Sequence, residues 1–534
     1  MPTLNWIGKE SVVNHHLEVP FHLLKDVPDL ACGEPGNGNL IVHGDNLVAL
    51  KALLPYYAGQ VKCVYIDPPY NTGNEAWVYN DNVNSPVIRE WLGKIVGKEG
   101  ETLDRHDRWL CMLYPRITLL RQFLREDGLL FVNIGTDEVA HLCLVLDEIF
   151  DRRNRVGIAA WETAYTANQT AEHISETTDF VYIYAKNANK AVVGKFERSE
   201  EQLAKFKNPD NDPRGPWKAE NLSAGKPYSA GQFEITGPTG RKFLPPPGRY
   251  WRCSEPQFQA WLSDGRITFG KQKTGRPMLK NYRDELSRGL TPTTWWKHED
   301  FGTAKDGSIE LKEIFGGKAA FSTPKPTRLE RILQIATQPG DLILDSFAGS
   351  GTTGHAVLKL NSLSPDRKPR QFILVEAEPD VAREVTAERI RRVAEGYEDA
   401  KGERVVGLGG AFRFCALGDP LFDEDGRIRE TVSFADLARH VYFSETGEPL
   451  PRQRLSKSPF LGACRGLGIY LLYNGILSDK SANGGNVLTR NVVAQLPGFD
   501  GVRVIYCAGC LLGRERLQAE RIIVRQIPYE IRVS

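Results

Sequence analysis

Long apolar runs, targeting segments and repeats are missing from this sequence. No run approaches the roughly 18 apolar residues of a membrane-spanning helix, and residues 1–10 lack the basic and apolar stretches of a secretory signal. The chain also contains no internal repeat and no low-complexity tract. We therefore expect a globular, cytoplasmic protein without a role in the membrane.

Cysteine is sparse, and charge of one sign is not in excess. Nine cysteines are scattered over 534 positions, mostly within apolar stretches, which indicates reduced and buried thiols. Cys507 and Cys510 form a C-x-x-C pair, but without a second pair or nearby histidines we assign them to core packing rather than to a metal or redox site. The net charge is +1, so any face that binds nucleic acid must be local.

The hydrophobic pattern divides the 534 residues into several parts, because a single core does not grow to this size. Strand-like and helix-like segments alternate from residue 39 to 186 and again from 321 to 400, which predicts one parallel α/β sheet. Between these stretches Gly, Pro, Trp and Tyr are frequent and neither period is sustained, so we predict an inserted domain. The helix expected over residues 108–126 should kink or restart at Pro115.

The motif Asp67-Pro68-Pro69-Tyr70 directly follows the predicted strand Val61–Ile66, at the edge of a parallel sheet where functional groups lie. The Asp67 carboxylate and the Pro68 carbonyl can accept both hydrogens of an exocyclic ring amine such as N6 of adenine, which frees its delocalised lone pair for attack. Tyr70 can stack on the base, and the prolines stiffen the turn. These four residues are the predicted catalytic residues; a plain surface turn is the alternative.

A second strand-to-turn-to-helix motif begins at residue 345 and is rich in glycine. Glycine lets the backbone approach a ligand closely, and the following helix N-terminus offers free amides. The next predicted strand ends at Glu376, whose carboxylate can accept two ribose hydroxyls. Together they predict a pocket for a nucleoside cofactor, whereas the turn alone would also suit a dinucleotide or a tight connection. The predicted cofactor residues of the turn are Asp345, Phe347, Ala348, Gly349, Ser350, Gly351 and Thr352.

Two more residues are assigned to the same pocket. Asp45 follows the predicted strand Leu40–His43 and is expected to accept from an exocyclic amine of the cofactor, with a helix N-cap as the alternative. Lys325 precedes the glycine-rich turn and is expected to approach a cofactor carboxylate, with an ordinary solvated lysine as the alternative. No metal site is predicted.

With these motifs the chain resembles the β class of amino-group DNA methyltransferases, in particular the methylation (Mod) subunits of type III restriction-modification systems. The resemblance covers roughly residues 37–400 and rests on the stretches 42–47, 65–73 and 372–376 and on the order of the motifs. It implies an α/β, Rossmann-like fold for S-adenosylmethionine-dependent methyl transfer, with a circularly permuted motif order. The implied cofactor is S-adenosyl-L-methionine.

The resemblance also gives each part of the chain an expected role. The expected parts are an N-terminal extension (1–36), the catalytic half of the methyltransferase domain (37–190), an inserted target-recognition domain (191–320), the cofactor-binding half (321–400) and a C-terminal α/β domain (401–534).

The implied activity is site-specific methylation of N6 of adenine in double-stranded DNA, on a base flipped out of the duplex. Asp rather than Ser at position 67 favours adenine over cytosine N4, and no cysteine follows a proline, which argues against methylation of a ring carbon. Methylation of RNA or of a protein glutamine is a more distant possibility, since related families favour Asn at position 67. A catalytically silent DNA-specificity module is the non-enzymatic alternative.

The implied partners are double-stranded DNA, a second copy of the chain and a restriction (Res) subunit with ATPase and nuclease activity. The chain has no Gly-Lys-Ser or Gly-Lys-Thr, so cleavage would need that other subunit. Within the insertion, residues 241–280 are locally basic and are expected to face DNA. Four aromatic residues there are assigned to a small core, with DNA contact as the alternative: Tyr250, Trp251, Trp261 and Phe269.

Overall fold

The computed structural model describes residues 3–34, 38–72, 101–167, 169, 171, 173–198, 200–285, 289–451, 458–473, 476–478 and 485–527. Gly73, the last residue of the stretch 65–73, lies outside the described residues. Two compact units are present: a larger one, Met1–Val193 with Thr293–Ser534, and a smaller one, Gly194–Pro292. None of the described helices is long and apolar enough to cross a membrane.

A ten-stranded sheet forms the centre of the larger unit, in the order β1-β10-β2-β9-β8-β3-β4-β6-β5-β7. In chain order its strands are β1 His22–Asp26, β2 Leu40–His43, β3 Val61–Ile66, β4 Leu124–Ile134, β5 Arg155–Glu162, β6 Thr178–Ala185, β7 Trp295–Trp296, β8 Leu342–Asp345, β9 Gln371–Glu376 and β10 Arg413–Pro420.

The central strands are parallel, from β10 through β2, β9, β8 and β3 to β4. Every residue of Val61–Ile66 is buried, as expected for a strand covered by helices on both faces. Strand β6 runs antiparallel to β4, so β6 begins at the edge where the parallel strands end. The larger unit thus has the predicted Rossmann-like arrangement, with the ends of β3, β8 and β9 side by side.

A hydrophobic core lies between this sheet and the helices Asn46–Tyr57, Glu101–Phe123 and Val139–Phe150. The described α-helices of the larger unit are Lys9–Val12, His15–Glu18, Asn46–Tyr57, Glu101–Phe123, Val139–Phe150, His298–Phe301, Ala304–Ile314, Glu330–Ala336, Thr352–Ser362, Glu388–Glu395, Phe434–Thr446, Arg490–Gln495 and Arg514–Ala519. A π-helix, Val381–Ala387, precedes Glu388–Glu395.

The helix Glu101–Phe123 runs on through Pro115, so the expected restart is wrong. Proline removes one backbone donor from the helix interior. The neighbouring Arg116 donates from its guanidinium to the Met112 carbonyl, one turn earlier, and its side chain is fully buried.

The boundaries of the two units differ from the expected boundaries of the insertion and the C-terminal segment. The smaller unit ends at Pro292 rather than at residue 320, because Trp295–Trp296 pairs with β5 in the large sheet. After residue 400, Arg413–Pro420 pairs with β2 and is therefore part of the same sheet. A four-stranded sheet then follows, in the order Phe460–Cys464, Leu467–Leu471, Val502–Cys507 and Ile522–Gln526.

The smaller unit has a core and short strands of its own. Its elements are the strands Trp217–Asn221, Ser223–Ala224, Ile235–Thr236, Lys242–Phe243, Tyr250–Trp251, Ile267–Thr268 and Met278–Tyr282 and the helices Glu200–Leu203 and Glu255–Ser263. Trp251 and Phe269 are buried in the core, and Trp261 packs against it. The assignment of these three aromatic residues to a core is therefore confirmed.

Candidate active site

A cavity of about 500 Å³ lies where the central strands end. It brings together the ends of β3, β8 and β9 with the start of β6. Its described lining consists of Asp67, Pro68, Pro69, Tyr70, Trp161, Thr163, Asp179, Ala304, Phe321, Ser322, Thr323, Lys325, Pro326, Phe347, Gly349, Glu376 and Glu378. All four predicted catalytic residues and four of the predicted cofactor residues therefore face one space.

The Tyr70 hydroxyl lies at the centre of a polar cluster. It donates to Oδ2 of Asp179 at 2.7 Å and lies 3.1 Å from Oδ1 of Asp67. It accepts from Nδ2 of Asn133 at 2.5 Å and from Nζ of Lys325 at 2.6 Å. A hydroxyl has one donor and two acceptor positions, so these contacts saturate it.

Among the described residues, one oxygen of the Asp67 carboxylate has no hydrogen-bond partner. Asn133 donates to Oδ1 of Asp67 at 3.0 Å. Within the described part of the chain, neither Oδ2 of Asp67 nor the Pro68 carbonyl makes a hydrogen bond. Trp109 fixes the turn by donating from its indole to the Pro69 carbonyl at 2.7 Å. Two acceptors that have no partner among the described residues therefore lie on a rigid turn that lines the cavity.

The charges in this cluster are two carboxylates and one ammonium. Nζ of Lys325 is 3.0 Å from Asp179 and 3.5 Å from Asp67. Burial lowers the pKa of Lys325, but the two carboxylates outweigh burial, so its pKa is raised and the side chain stays charged. Burial raises the pKa of Asp67, with Lys325 opposing and Asp179 adding to the rise. In this structure the ammonium lies beside the catalytic motif.

Asn133 and Asp179 were not predicted as site residues. Asn133 is the next-to-last residue of β4, and Asp179 is the second residue of β6. The sequence signal for them was their position, since each is a polar residue in a strand, close to the sheet edge at which the parallel strands end. That signal depends on knowing that β6 is antiparallel, which the sequence pattern alone does not reveal.

The glycine-rich turn after β8 approaches the cavity through its backbone. Gly349 has φ +49° and donates from its amide to Oε2 of Glu376 at 2.7 Å. The other carboxylate oxygen of Glu376 accepts from the Glu378 amide at 3.0 Å. Burial raises the pKa of Glu376. Phe347, Gly349 and Glu376 thus form one wall of the cavity.

The remaining residues of the turn point away from the cavity and hold its shape. Asp345 accepts from the Phe347 amide at 3.0 Å and from the Thr353 hydroxyl at 2.6 Å. Arg389 is fully buried and donates to the carbonyl of Ser350 and to the Thr352 hydroxyl. Burial lowers the pKa of Arg389 to about 10. Gly351 and Ala348 also lie outside the described lining of the cavity.

Asp45 is the predicted cofactor residue that the structure places elsewhere. Its Oδ1 accepts from the amides of Leu47 and Val48, and its Oδ2 pairs with Arg116 at 3.0 Å. Asp45 caps the helix Asn46–Tyr57 and lies outside the described lining of the cavity. These contacts are those of the helix-cap alternative, and the expected contact with a cofactor amine stays a prediction.

A model of the DNA methylase family matches residues 61–387, more than half of the chain. The chain belongs to the DNA methylase family. The Mod subunits of three type III restriction-modification enzymes are similar to it. The Mod subunit of StyLTI from Salmonella typhimurium is 32% identical over an alignment of 401 positions that covers 70% of this chain and 59% of the relative.

The other two Mod subunits of these enzymes are slightly more distant from this DNA methylase. EcoPI of Escherichia phage P1 is 30% identical over 70% of this chain and 63% of the relative. EcoP15I of Escherichia coli is 28% identical over 76% of this chain and 68% of the relative. The matched part thus spans about three fifths of the length of the first two relatives.

Two partly exposed histidines and a buried glutamate form a cluster next to the predicted catalytic residues of this family member. Glu138 is fully buried and lies 2.5 Å from Nδ1 of His106 and 2.7 Å from Nδ1 of His141. Asn71, the residue after Tyr70, also donates to Glu138. Two ligands of a tetrahedral zinc ion stand about 3.3 Å apart. These closer distances are those of hydrogen bonds, which tie the end of the motif to the helices.

The basic stretch of the smaller unit is largely neutralised by neighbouring acids. Lys242 pairs with Glu234, Arg252 with Glu220, Arg266 with Asp264 and Glu285, and Lys280 with Asp210 and Asp212. Arg249 donates to the Ser223 carbonyl. Four exposed cations then remain that have no carboxylate partner within the described residues: Arg241, Lys271, Lys273 and Arg276.

Three of these four cations lie on one exposed loop. Residues 270–276, between the paired strands Ile267–Thr268 and Met278–Tyr282, are all exposed. Arg241 reaches the same loop by donating to the Thr274 carbonyl at 3.4 Å. The cations of the stretch 241–280 that have no carboxylate partner among the described residues are therefore those of this loop and Arg241.

Proposed function

We propose that the chain transfers a methyl group from S-adenosyl-L-methionine to N6 of a flipped-out adenine in double-stranded DNA. The observation that carries the proposal is the pair of unused acceptors, Oδ2 of Asp67 and the carbonyl of Pro68, on a rigid turn in the cavity. An exocyclic amine offers two hydrogens, and two acceptors can take both of them. The nitrogen lone pair is then directed out of the ring plane, toward a methyl donor.

The opposite wall suits a nucleoside cofactor. The cavity of about 500 Å³ lies within the range of roughly 300–1,000 Å³ of ligand pockets. Gly349 leaves its backbone open to a ligand, and each oxygen of Glu376 carries one backbone hydrogen bond, which leaves lone pairs for ribose hydroxyls. S-Adenosylmethionine supplies an activated methyl group when bound. Residues Phe347, Gly349 and Glu376 would hold its nucleoside part.

The target base must leave the duplex to reach Asp67, at a cost of a few kcal/mol of unstacking. Stacking on the ring of Tyr70 offsets part of that cost. The phosphate backbone would be held by the exposed cations of the smaller unit, since neutralised side chains release no counterions. This assigns DNA recognition to residues 194–292 and transfer to the larger unit.

The similarity to Mod subunits supports a role as the modification subunit of a type III-like restriction system. The partners on this proposal are a second copy of the chain and a Res subunit that supplies ATP hydrolysis and cleavage.

The test is to express the chain in a host without adenine methylation and to sequence its genome with a method that reports modified bases. Asp67→Ala is the inactive control, and Asp147→Ala, at a carboxylate outside the cavity, is the matched control. We expect N6-methyladenine at one short motif, present with Asp147→Ala and absent with Asp67→Ala. Modified cytosine at N4 would overturn the base assignment alone. No modification, with cofactor binding intact, would favour a DNA-specificity module.

A further inference from the structure

We propose that Asp179 is a positioning residue of the transfer reaction, which holds the Tyr70 hydroxyl and the Lys325 ammonium so that Oδ2 of Asp67 stays free for the amine. The inference rests on the proposed function, because it names a further residue of the same site. Asp179 itself need not touch the base.

The topology places this carboxylate opposite the motif. Strand β6 is antiparallel to β4, with Ile134 beside Phe180, so the start of β6 meets the ends of the parallel strands. Asp179 therefore enters the cavity from a strand that is distant in sequence from Asp67. Its side chain is 15% exposed, and its Oδ2 accepts from Tyr70, from Lys325 and, at 3.4 Å, from Asn133. Tyr70 and Lys325 belong to the predicted site.

The first consequence concerns the ring of Tyr70. The hydroxyl oxygen lies on the axis about which a tyrosine ring turns, so its hydrogen bonds fix where the ring ends, and packing along the ring fixes its plane. Here Asp179 accepts the single proton of the Tyr70 hydroxyl. On the other side the ring packs against Gly135, where an added Cβ would come within 2.9 Å of Cδ2 of Tyr70. The backbone and Asp179 together therefore set the plane on which a base would stack.

The second consequence concerns charge. One ammonium faces two carboxylates, and it is 3.0 Å from Asp179 but 3.5 Å from Asp67. The ammonium interacts more strongly with Asp179 than with Asp67, since the interaction energy of two charges falls with distance. Without Asp179 the ammonium of Lys325 would pair with Asp67 and occupy the acceptor that the amine needs. The two acids thus have different tasks.

The experiment is a double-mutant cycle on the full chain, with Asp179→Ala, Tyr70→Phe and the combined variant. We measure kcat and KM for DNA and for S-adenosylmethionine. Asp179→Ala is expected to lower kcat on the order of 100-fold, as a shift of about 1 Å in a reacting group does. In the Tyr70→Phe background, the same change should lower kcat by a smaller factor, since the hydroxyl is already absent and only the effect on Lys325 and Asp67 remains. Asp179→Asn, which keeps an acceptor oxygen, should recover part of the loss.

A matched control is available in the same sheet. Asp147 accepts from the Tyr184 hydroxyl at 2.6 Å and pairs with Arg155 at 3.0 Å, the same chemistry outside the cavity. Asp147→Ala should lower thermal stability without the loss of kcat. Equal losses of kcat from Asp179→Ala with and without the Tyr70 hydroxyl would overturn the inference, and so would unchanged kcat in Asp179→Ala.

Two further readouts separate this inference from general damage. In Asp179→Ala and Asp179→Asn the pKa of Asp67 should fall, because Asp67 loses a negative neighbour while Lys325, Tyr70 and Asp345 still face it. The acid limb of the pH profile of kcat should therefore move to lower pH. An unmoved limb counts against the charge argument. If the wild-type chain methylates no DNA, the proposed function fails. The positioning role of Asp179 can then still be tested with crystal structures of the wild type and of Asp179→Ala. The Tyr70 hydroxyl should leave its position in the variant, and an unmoved ring would refute the positioning role.

Discussion

Asp345 is a carboxylate that the fold buries almost completely, with 3% of the residue exposed. Burial raises its pKa to about 7, although the Thr353 hydroxyl and the Phe347 amide oppose the rise. The native state therefore keeps a proton on Asp345 that the unfolded chain loses near pH 4. Ionisation of this one residue opposes folding as the pH rises from about 4 to 7.

This gives a prediction for Asp345→Asn, which removes the titration and keeps an acceptor for the Phe347 amide. The free energy of unfolding of the variant, relative to wild type, should increase as the pH rises from 4 to 7, by at most about 4 kcal/mol. Above pH 7 the difference should be constant. Urea unfolding of both proteins across this range measures it, and a difference independent of pH would contradict the raised pKa of Asp345.

The sequence was informative about single residues where local chemistry decides their place. Asp67 could be predicted because its motif follows a mostly apolar strand, and Gly349 because a turn against a ligand needs glycine. Asp45 fits either a cofactor contact or a helix cap, since both use a free carboxylate at the same position, and the pairing with Arg116 is a long-range contact. Asp179 could not be predicted, because its role depends on the direction of β6.

At the scale of elements, the turn between β8 and the helix Thr352–Ser362 is held by its backbone conformation and by close packing. Gly351 has φ +76°, and a Cβ there would lie 3.2 Å from the Thr386 carbonyl oxygen. Gly447, after the helix Phe434–Thr446, has φ +70° with nothing within 4 Å of a Cβ. The two glycines thus share the left-handed conformation and differ in crowding.

Replacing each glycine by alanine separates these two effects. Gly447→Ala should cost about 1 kcal/mol, the penalty of a side chain in the left-handed region. Gly351→Ala should cost more, because Thr386 must also move, and it should weaken S-adenosylmethionine binding by shifting the turn. Thermal unfolding and calorimetric titration with the cofactor measure both quantities. Equal losses of stability and an unchanged cofactor affinity in the two variants would show that the turn is not crowded.

At the scale of the whole molecule, the large sheet is assembled from distant parts of the chain. Strands β1 and β10 pair with each other, so residues 22–26 and 413–420 extend the same sheet that carries Asp67 to Tyr70. The sequence predicted β2, β3 and β8 because each is a short apolar run between turn signals. It did not reveal β10, because a strand more than 350 residues from β2 along the chain finds its neighbour through tertiary packing rather than local pattern.

Charge is also distributed at this scale, since the net value of +1 hides the exposed cations of the smaller unit. Binding to double-stranded DNA should depend on salt with a slope of about 0.9 per phosphate contact on logarithmic axes. Replacing Lys271, Lys273 and Arg276 by serine should therefore reduce that slope by about 2.7.

A control triple variant has serine in place of Lys242, Arg252 and Arg283, which are paired with Glu234, Glu220 and Asp284. Its slope should stay near that of wild type, because these cations are already neutralised. Fluorescence anisotropy with a labelled duplex at several salt concentrations measures all three proteins. If both triple variants lose the same slope, the phosphate contacts are not confined to the exposed loop, and the paired cations contribute to binding despite their ion pairs.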